Sequence, residues 1–503
     1  VETASTYAKD RKQFGRPIGQ FQAVKHRCAN MLVALEQTRA VAWDAAIALD
    51  ADIDATDTAL AVAAAGAIAF DNFTAIAKDC IQVLGGIGFT WEHDAHLYLR
   101  RATALRQLFA GTTPGRVTAA RLALDGVRRT LTLDLPAEAD DLRAEVRAAI
   151  EPIAALPRDE RRIPLADAGL IVPHWSHPWG RDAGAVEQVV IDQELRRAKV
   201  RVPHLQVGAW AAPTIAVHGT VEQQERWVRP TLHGEIAWCQ LFSEPEAGSD
   251  LAALTTRATK TDGGWLLNGQ KVWTSYAQFA DWGICLARTD PDAPKARDGI
   301  SFFVVDMRAP GVEVRPLVQL TGEAEFNEVF LADVFVADDQ LVGPLHAGWT
   351  KVANSTLSHE RGTNPRQLVI HAQLIEELLR LAVANGTYDD PHVRDRLAQA
   401  FAEVRIFQLH NWRSVSRLAK GREPGPEGSG LKLFWSEMSK RLHETAMAVL
   451  GPSAPLWKGA SDNPGDGTWQ RSWLYYHAAS IWAGTNEIQR TIIGERVLGL
   501  PRG

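Results

Sequence analysis

Between about residues 236 and 344 the apolar residues of this chain alternate with polar ones, as in WLLNGQKVWTS, SFFVVDM and VEVRPL; on both sides they recur every three or four residues. Period two fits half-buried strands and the longer period fits helices. A block of strands between blocks of helices argues against a βαβ sheet. It implies an α+β chain, with helical domains flanking a central β domain. At 503 residues the chain is too long for a single core. The expected organisation is a helical domain over 1–127, a linker over 128–140, a helical domain over 141–235, the β domain over 236–345 and a helical domain over 346–503. Phe21, Val24, Cys28, Met31, Leu32 and Leu35 mark one buried helix face. The opening VETASTYAKDRKQFG reads as the middle of an amphipathic helix. With no initiator Met and no signal-peptide pattern, a fragment of a longer protein is expected. Prolines 157, 164, 173, 178, 203 and 213 break the second helical stretch, and Asn268-Gly269 reads as a hairpin turn.

Composition narrows the function classes. The net charge is −6 and no long basic run occurs, which argues against nucleic-acid binding. The Ala-rich run Ala59–Phe70 is too short to span a bilayer and reads as a core helix, so no membrane role is expected. Cys28, Cys80, Cys239 and Cys285 form no C-x-x-C pair, which indicates neither a zinc site nor a disulfide framework and fits reduced thiols in the cytoplasm. His93 and His96 have a spacing that one helix face could present, but no third ligand is evident and no metal is expected.

The segment WCQLFSEPEAGSDLAAL (Trp238–Leu254) runs a hydrophobic strand into a loop where Gly248 permits close backbone approach and Ser243 and Ser249 offer hydroxyls. In KVWTSYAQFADWGICLAR (Lys271–Arg288), Trp273 and Ser275 share one strand face. A ring and a hydroxyl on one face suit a planar cofactor, and equally suit an ordinary half-buried strand. Together the two stretches resemble the acyl-CoA dehydrogenase family, with its TEP-x-AGSD-like loop and its W-[IT]-[TS] strand. LADAGLIVPHW, APTIAVHGTVEQQERWVRPTLHGE and the ending AGTNEIQRTIIGERVLGL are similar to the family's outer helices, so residues from about 141 to 503 read as one whole module.

The resemblance implies a β-barrel-like form for the central domain and FAD as cofactor. It implies flavin contacts for Phe242, Ser243, Ser249, Trp273, Ser275, Thr485 and Glu487, with Lys271 as the basic residue preceding the tryptophan strand. It also places Ser249, Arg361 and Trp482 on the substrate side. The reaction it implies removes a proton next to a thioester carbonyl and passes a hydride from the next carbon to flavin N5, which needs a carboxylate base. In most members the base directly precedes the Gly-Thr of the final motif. Here that position is Ala483, and the equivalent in an earlier, similar stretch is Ala110; neither can take a proton. A minority of members carry the glutamate before an arginine on an earlier helix, which in LSHERGTN (Leu357–Asn364) is Glu360 before Arg361. Glu360 is therefore the expected base, with Gly362 leaving room for a bulky acyl chain.

RQLFAGTTPGRVTAARLAL (Arg106–Leu124) echoes ASIWAGTNEIQRTIIGERVLGL (Ala479–Leu500), which implies two related modules with the first one partial. DRKQFGRPIGQFQAVKH (Asp10–His26) resembles the family's R-x-x-F-G motif, which crosses a subunit interface to the neighbour's flavin, and QVLGG resembles its second cross-interface element. Arg11, Phe14, Gln22, Gln82, Gly85 and Gly86 then form the adenine-side clamp, the glycines admitting backbone to the phosphates. The second module lacks both elements. The halves are complementary, as in a fused pseudo-dimer with one competent site per chain. Two chains would then mimic a family tetramer. Acyl-CoA is the implied substrate, in the manner of actinobacterial enzymes for steroid or other bulky thioesters, and an electron-transfer flavoprotein the implied acceptor. An oxidase that uses oxygen and a non-catalytic flavin- or CoA-binding scaffold stay open as alternatives.

Overall fold

A computed structural model describes residues 1–50, 54–129, 138–360, 365–419 and 428–503. The chain divides into two compact units, one of residues 1–133, 363–417 and 422–503, the other of residues 134–362 and 418–421. Most of the expected linker, residues 130–137, lies outside the described residues.

The first unit starts with α1 (Glu2–Asp10), which stops earlier than the sequence suggests. Lys12–Gln13 (β1) and Arg16–Pro17 (β2) form a small antiparallel hairpin, because Phe14 and Gly15 both take left-handed backbone angles of 52° and 76°. Then come α2 (Gln22–Asp50), α3 (Ala55–Gly66), α4 (Ala69–Leu84), α5 (Ala95–Leu108) and α6 (Thr113–Leu124). The run Ala55–Phe89 is long and apolar enough to cross a membrane by length and composition alone. It is nonetheless divided at Ala67–Ile68, and Leu60, Ala63, Ala67 and Ile68 pack into the core. Gly115 does not interrupt a helix. It lies inside α6, where a Cβ would come within 2.5 Å of Ala67 N, so it lets α6 cross the α3–α4 corner closely. His93 precedes α5 and accepts from Ala95 N, so it does not share a helix face with His96.

The second unit opens with α7 (Glu138–Ala154), α8 (Arg162–Asp167), α9 (Ala185–Arg197), α10 (Gly208–His218) and α11 (Val221–His233). Pro164 and Pro213 are accommodated within α8 and α10 instead of ending them. Thr220 and Gln223 form a capping box at the start of α11, and Gly234 closes it at φ 83°. The sheet follows: β3 (Trp238–Leu241), β4 (Arg257–Thr261), β5 (Gly264–Ser275), β6 (Trp282–Arg288), β7 (Ile300–Asp306), β8 (Val312–Leu317) and β9 (Phe326–Ala337). Its order is β3-β6-β4-β5-β9-β8, with β7 also on β6. The hairpin turn is Asp262-Gly263, with Gly263 at φ 72°, and not Asn268-Gly269. Asn268 and Gly269 lie within β5 because the Asn268 side chain bonds both the side chain and the amide of Asp333 on β9. Gly269 is needed there because a Cβ would stand 2.4 Å from Thr256 Oγ1.

After the sheet come α12 (Asn354–Glu360), then the second half of the first unit: α13 (Pro365–Ala384), α14 (Pro391–Ala419), α15 (Gly428–Leu450), α16 (Thr468–Tyr476) and α17 (Asn486–Ile492). The two helical halves of the first unit share one core. Val41, Leu60, Leu122 and Ala123 pack with Leu378, Leu397, Phe401, Phe434 and Met438. A buried ion cluster adds to it: Arg129 bonds Asp44 at 2.8 Å and Asp57 at 3.2 Å, and Arg405 reaches Asp44 at 3.3 Å. The halves are also alike. Helices α2 and α14 each have 29 residues, and Ala110-Gly111 and Ala483-Gly484 are both left-handed pairs, at 55° and 70° and at 52° and 83°.

Candidate active site

In the second unit, the loop after β3 and the end of β5 form one surface. The amide of Val272 donates to Ser243 O at 2.9 Å, which ties the serine loop to the tryptophan strand. The register slips between Lys271 and Thr274, and Trp273 sits in this bulge at φ 60°. A bulge aims the ring outward: Trp273 is 61% exposed while Thr274 beside it is fully buried. Its ring packs edge-on against Phe326 at 6.5 Å. A left-handed tryptophan costs about 1–3 kcal/mol, a strain that concentrates at functional positions. Ser275 is half-buried and Ser249 exposed. Phe242 is buried against Phe302, so its side chain belongs to the core and only its backbone can serve a ligand.

The sequence reading set Lys271 ahead of the strand; it lies inside β5 and is fully buried. Its Nζ donates to Glu244 Oε1 and Leu286 O, both at 2.8 Å, and to Phe242 O at 3.2 Å. Glu244 also accepts from Thr255 N, Thr255 Oγ1 and Thr256 N. Burial alone would raise the Glu244 pKa, but the Lys271 charge and these hydrogen bonds hold it at about 2. This ion pair fixes the Ser-Glu-Pro loop from beneath. Sequence reasoning missed it because both residues sat in motifs read for their hydroxyls and ring.

In the first unit the clamp residues converge. Phe14 is 91% exposed at the tip of the β1–β2 hairpin, and Arg11 and Gln22 are exposed beside it. Phe21 steadies Phe14 edge-on at 5.8 Å, and Arg16 lies 4.3 Å over the Phe21 ring. The end of α4 packs on α1 through Val83, Ala4 and Ala8, which brings Gln82, Gly85 and Gly86 to the same region. Gly85 takes φ 65°, and neither it nor Gly86 has an atom within 4 Å of a would-be Cβ, so open space faces both.

The final motif lies against the start of α2. His26 meets Thr491 at 3.1 Å, and Arg490 donates to Asn30 at 2.9 Å. Thr485 caps α17 by accepting from Ile488 N, and Gln489 donates to Ala483 O at 3.0 Å. Asn486 is buried, with bonds to Lys432, Ser436 and Glu437. Glu487 is exposed and bonded to Arg490, and Trp482 packs on Tyr475 at 5.0 Å. Glu360 closes α12, but its side chain, and all of Arg361 and Gly362, lie outside the described residues.

Each set by itself suits part of a flavin dinucleotide. In the second unit, the open Trp273 face beside the Ser243, Ser249 and Ser275 hydroxyls suits a planar ring. In the first, exposed Arg11 and Phe14 and the open space at Gly85 and Gly86 suit a pyrophosphate and a second ring.

Comparison with known proteins agrees. The chain matches the family profile for the acyl-CoA dehydrogenase N-terminal domain over residues 136–235, the middle domain over 239–334 and the C-terminal domain over both 1–114 and 346–498. Acyl-CoA dehydrogenase FadE34 of Mycobacterium tuberculosis is 49% identical over 506 residues, which cover 100% of this chain and 68% of that protein. A solved steroid acyl-CoA dehydrogenase, Tcur3481-Tcur3483, is 28% identical with a TM-score of 0.60 over 74% of this chain and 100% of that one. The ChsE4-ChsE5 complex of Mycobacterium tuberculosis is 28% identical with a TM-score of 0.58 over the same shares. With all three domain profiles matched, the C-terminal one twice, the chain belongs to the acyl-CoA dehydrogenase family and is an enzyme with FAD as its cofactor.

Proposed function

We propose that this enzyme desaturates a bulky acyl-CoA thioester, of the steroid side-chain type, with Glu360 as the base. The observation that carries this is the alanine at position 483, in a final motif otherwise intact in backbone and caps. Alanine cannot accept a proton, and Glu360 at the end of α12 is the carboxylate that the sequence pattern offers in its place. Glu360 takes the proton from the carbon next to the thioester carbonyl, and Arg361 balances charge nearby. Bound FAD supplies the acceptor for the two electrons that leave with hydrogen from the next carbon. Ser243, Ser249, Trp273 and Ser275 hold the ring side, Thr485 and Glu487 support it, and Arg11, Phe14, Gln22, Gln82, Gly85 and Gly86 clamp the adenine side. Ser249 and Trp482 line the substrate approach. The names of the relatives, FadE34 and a steroid dehydrogenase, support the substrate class.

The single core shared by the two helical halves supports a fused pseudo-dimer with one flavin site per chain. In the second half, Asp389 and Asp390 stand where the first half carries its clamp, and carboxylates repel a pyrophosphate. Two chains then assemble into a tetramer-like particle that passes electrons to an electron-transfer flavoprotein.

The test is anaerobic mixing of the yellow protein with straight-chain, branched and steroid side-chain CoA thioesters. Bleaching of the flavin band is expected with bulky thioesters in the wild type, and at least a hundredfold slower bleaching in Glu360→Gln. No bleaching with any thioester supports the scaffold reading. Fast reoxidation by air supports an oxidase, and equal rates in Glu360→Gln remove the base assignment.

A further inference from the structure

The flavin clamp rests on the far end of the chain. Helix α17 and the segment after it, 493–502, lie against the start of α2, which carries Gln22, and against Ile18–Gln20, which follow the hairpin that carries Phe14. Several contacts make this seat. Lys25 is 3% exposed, and its Nζ reaches Glu495 Oε1 at 2.6 Å. Its aliphatic stem passes so close to Gly494 that a Cβ there would stand 2.5 Å from Lys25 Cγ. Gln20 donates to Arg502 O at 2.8 Å. Gly19 is pressed between Ala8 O and Leu500, at 2.8 Å and 3.1 Å from a would-be Cβ. Leu498 and Leu500 enter the small core made by Ala4, Ala8, Cys28, Met31 and Val83.

We propose that Lys25 is a positioning residue for the flavin: through its ion pair with Glu495 it sets the clamp of the first half at a fixed height against the final motif of the second. This rests on the flavin reading of the site. The mechanical chain is short. Glu495 holds the Lys25 side chain, and the Lys25 amide donates to Phe21 O at 3.0 Å. The Phe21 ring then holds Phe14 edge-on. Gln22 lies in the same turn, three residues before Lys25. On the other side, Glu495 sits about two turns after Glu487 and about three after the cap Thr485 on a continuous helical run. Lys25 thus joins the adenine-side contacts to the ring-side contacts of the final motif without touching the ligand.

Other ion pairs between the two halves lie elsewhere. Arg405 with Asp44 is buried, but Asp44 is nineteen residues beyond Lys25 on α2, about 28 Å along the axis. Glu36 with Arg413 and Arg128 with Glu376 are partly exposed surface pairs. Glu36 lies eleven residues beyond Lys25 on α2, about 16 Å along the axis, so it bears no load from the clamp. A pair so exposed contributes about 0–1 kcal/mol. Burial of Lys25 makes its pair consequential, because loss of Glu495 leaves a buried ammonium uncompensated. Arg502, 3.9 Å from Glu495 and largely exposed, is its second and weaker cation.

The experiment measures FAD binding to apoprotein by quenching of flavin fluorescence, and separately kcat and the acyl-CoA KM at saturating FAD. Lys25→Met and Glu495→Gln are each expected to weaken FAD at least tenfold, with kcat at saturating FAD and the acyl-CoA KM within about twofold of wild type. Lys25→Arg and the charge swap Lys25→Glu/Glu495→Lys are expected to recover most of the affinity, and Arg413→Met to change nothing. Should Lys25→Met fail to fold, Gln20→Ala, which gives up only the Arg502 contact, is expected to weaken FAD measurably. The proposal is overturned if Lys25→Met binds FAD as tightly as Arg413→Met does, if the charge swap recovers nothing, or if Gln20→Ala leaves FAD affinity unchanged where Lys25→Met does not fold. A wild type that binds no FAD refutes the flavin reading itself, whereas a wild type that binds FAD and bleaches with acyl-CoA while Lys25→Met is unimpaired refutes only this inference.

Discussion

Replacing Lys271 by methionine removes the cation beneath the Ser-Glu-Pro loop and keeps most of the side-chain volume. Three bonds go with it, to Glu244 Oε1, Leu286 O and Phe242 O. Glu244, only 4% exposed, keeps its bonds from Thr255 and Thr256 but loses its counter-charge. Breaking a buried pair costs about 3–5 kcal/mol, and orphaned carbonyls add about 1–3 kcal/mol each where water cannot reach them. The retained bonds to Glu244 offset part of this, so a net loss of about 4 kcal/mol is expected at about pH 7. That is a large share of the roughly 5–15 kcal/mol that holds a domain together. The pH dependence separates charge from packing. With a folded pKa of about 2 against an ordinary 4.5, Glu244 contributes stability that is complete above about pH 4.5 and lost as pH falls toward 2. In Lys271→Met the buried carboxylate titrates upward, so the deficit relative to wild type shrinks on going from about pH 7 to about pH 4. Urea unfolding of both proteins, followed by tryptophan fluorescence across that range, measures it. A deficit below about 1 kcal/mol at neutral pH, or one that does not change with pH, would refute the argument. Lys271→Met/Glu244→Gln should recover a substantial part of the loss, because no uncompensated charge is left.

Other expectations follow from the same geometry. Trp273→Gly relieves a left-handed backbone at an exposed ring, so the apoprotein should lie within about 1 kcal/mol of wild type in urea while FAD affinity falls at least tenfold. Arg129→Met leaves Asp44 and Asp57 facing each other in a buried cluster with only Arg405 to balance them, and should cost about 3–5 kcal/mol by denaturant titration. In the Glu360→Gln background, Ala483→Glu should restore slow but measurable flavin bleaching, because it returns a carboxylate to the position before Gly484-Thr485. No recovery would mean that the pocket excludes a base there.

The sequence by itself determined the order of the blocks and, through its motifs, the family. The switch of hydrophobic period near residue 236 is a local property of the chain, and it marks where the sheet begins, at Trp238. The absence of a proton acceptor at Ala483 is legible without any coordinates. Hairpin placement was not legible. Asn268-Gly269 and Asp262-Gly263 are equally good turn dipeptides, and only the pairing of Asn268 with Asp333, sixty-five residues away, decides between them. The bulge that turns Trp273 outward is set by its register against β9, which a local period cannot report.

The ion pairs that hold the site were hidden for the same reason. Lys271 and Glu244 read as flanking charges until the fold buries both, and Lys25 meets Glu495 across 470 residues of chain. Burial turns an ordinary lysine into a structural element, and burial is a property of what packs around a residue, not of the residue itself. The sequence named the groups proposed to touch the flavin; only the tertiary structure decided which buried charges hold them in place.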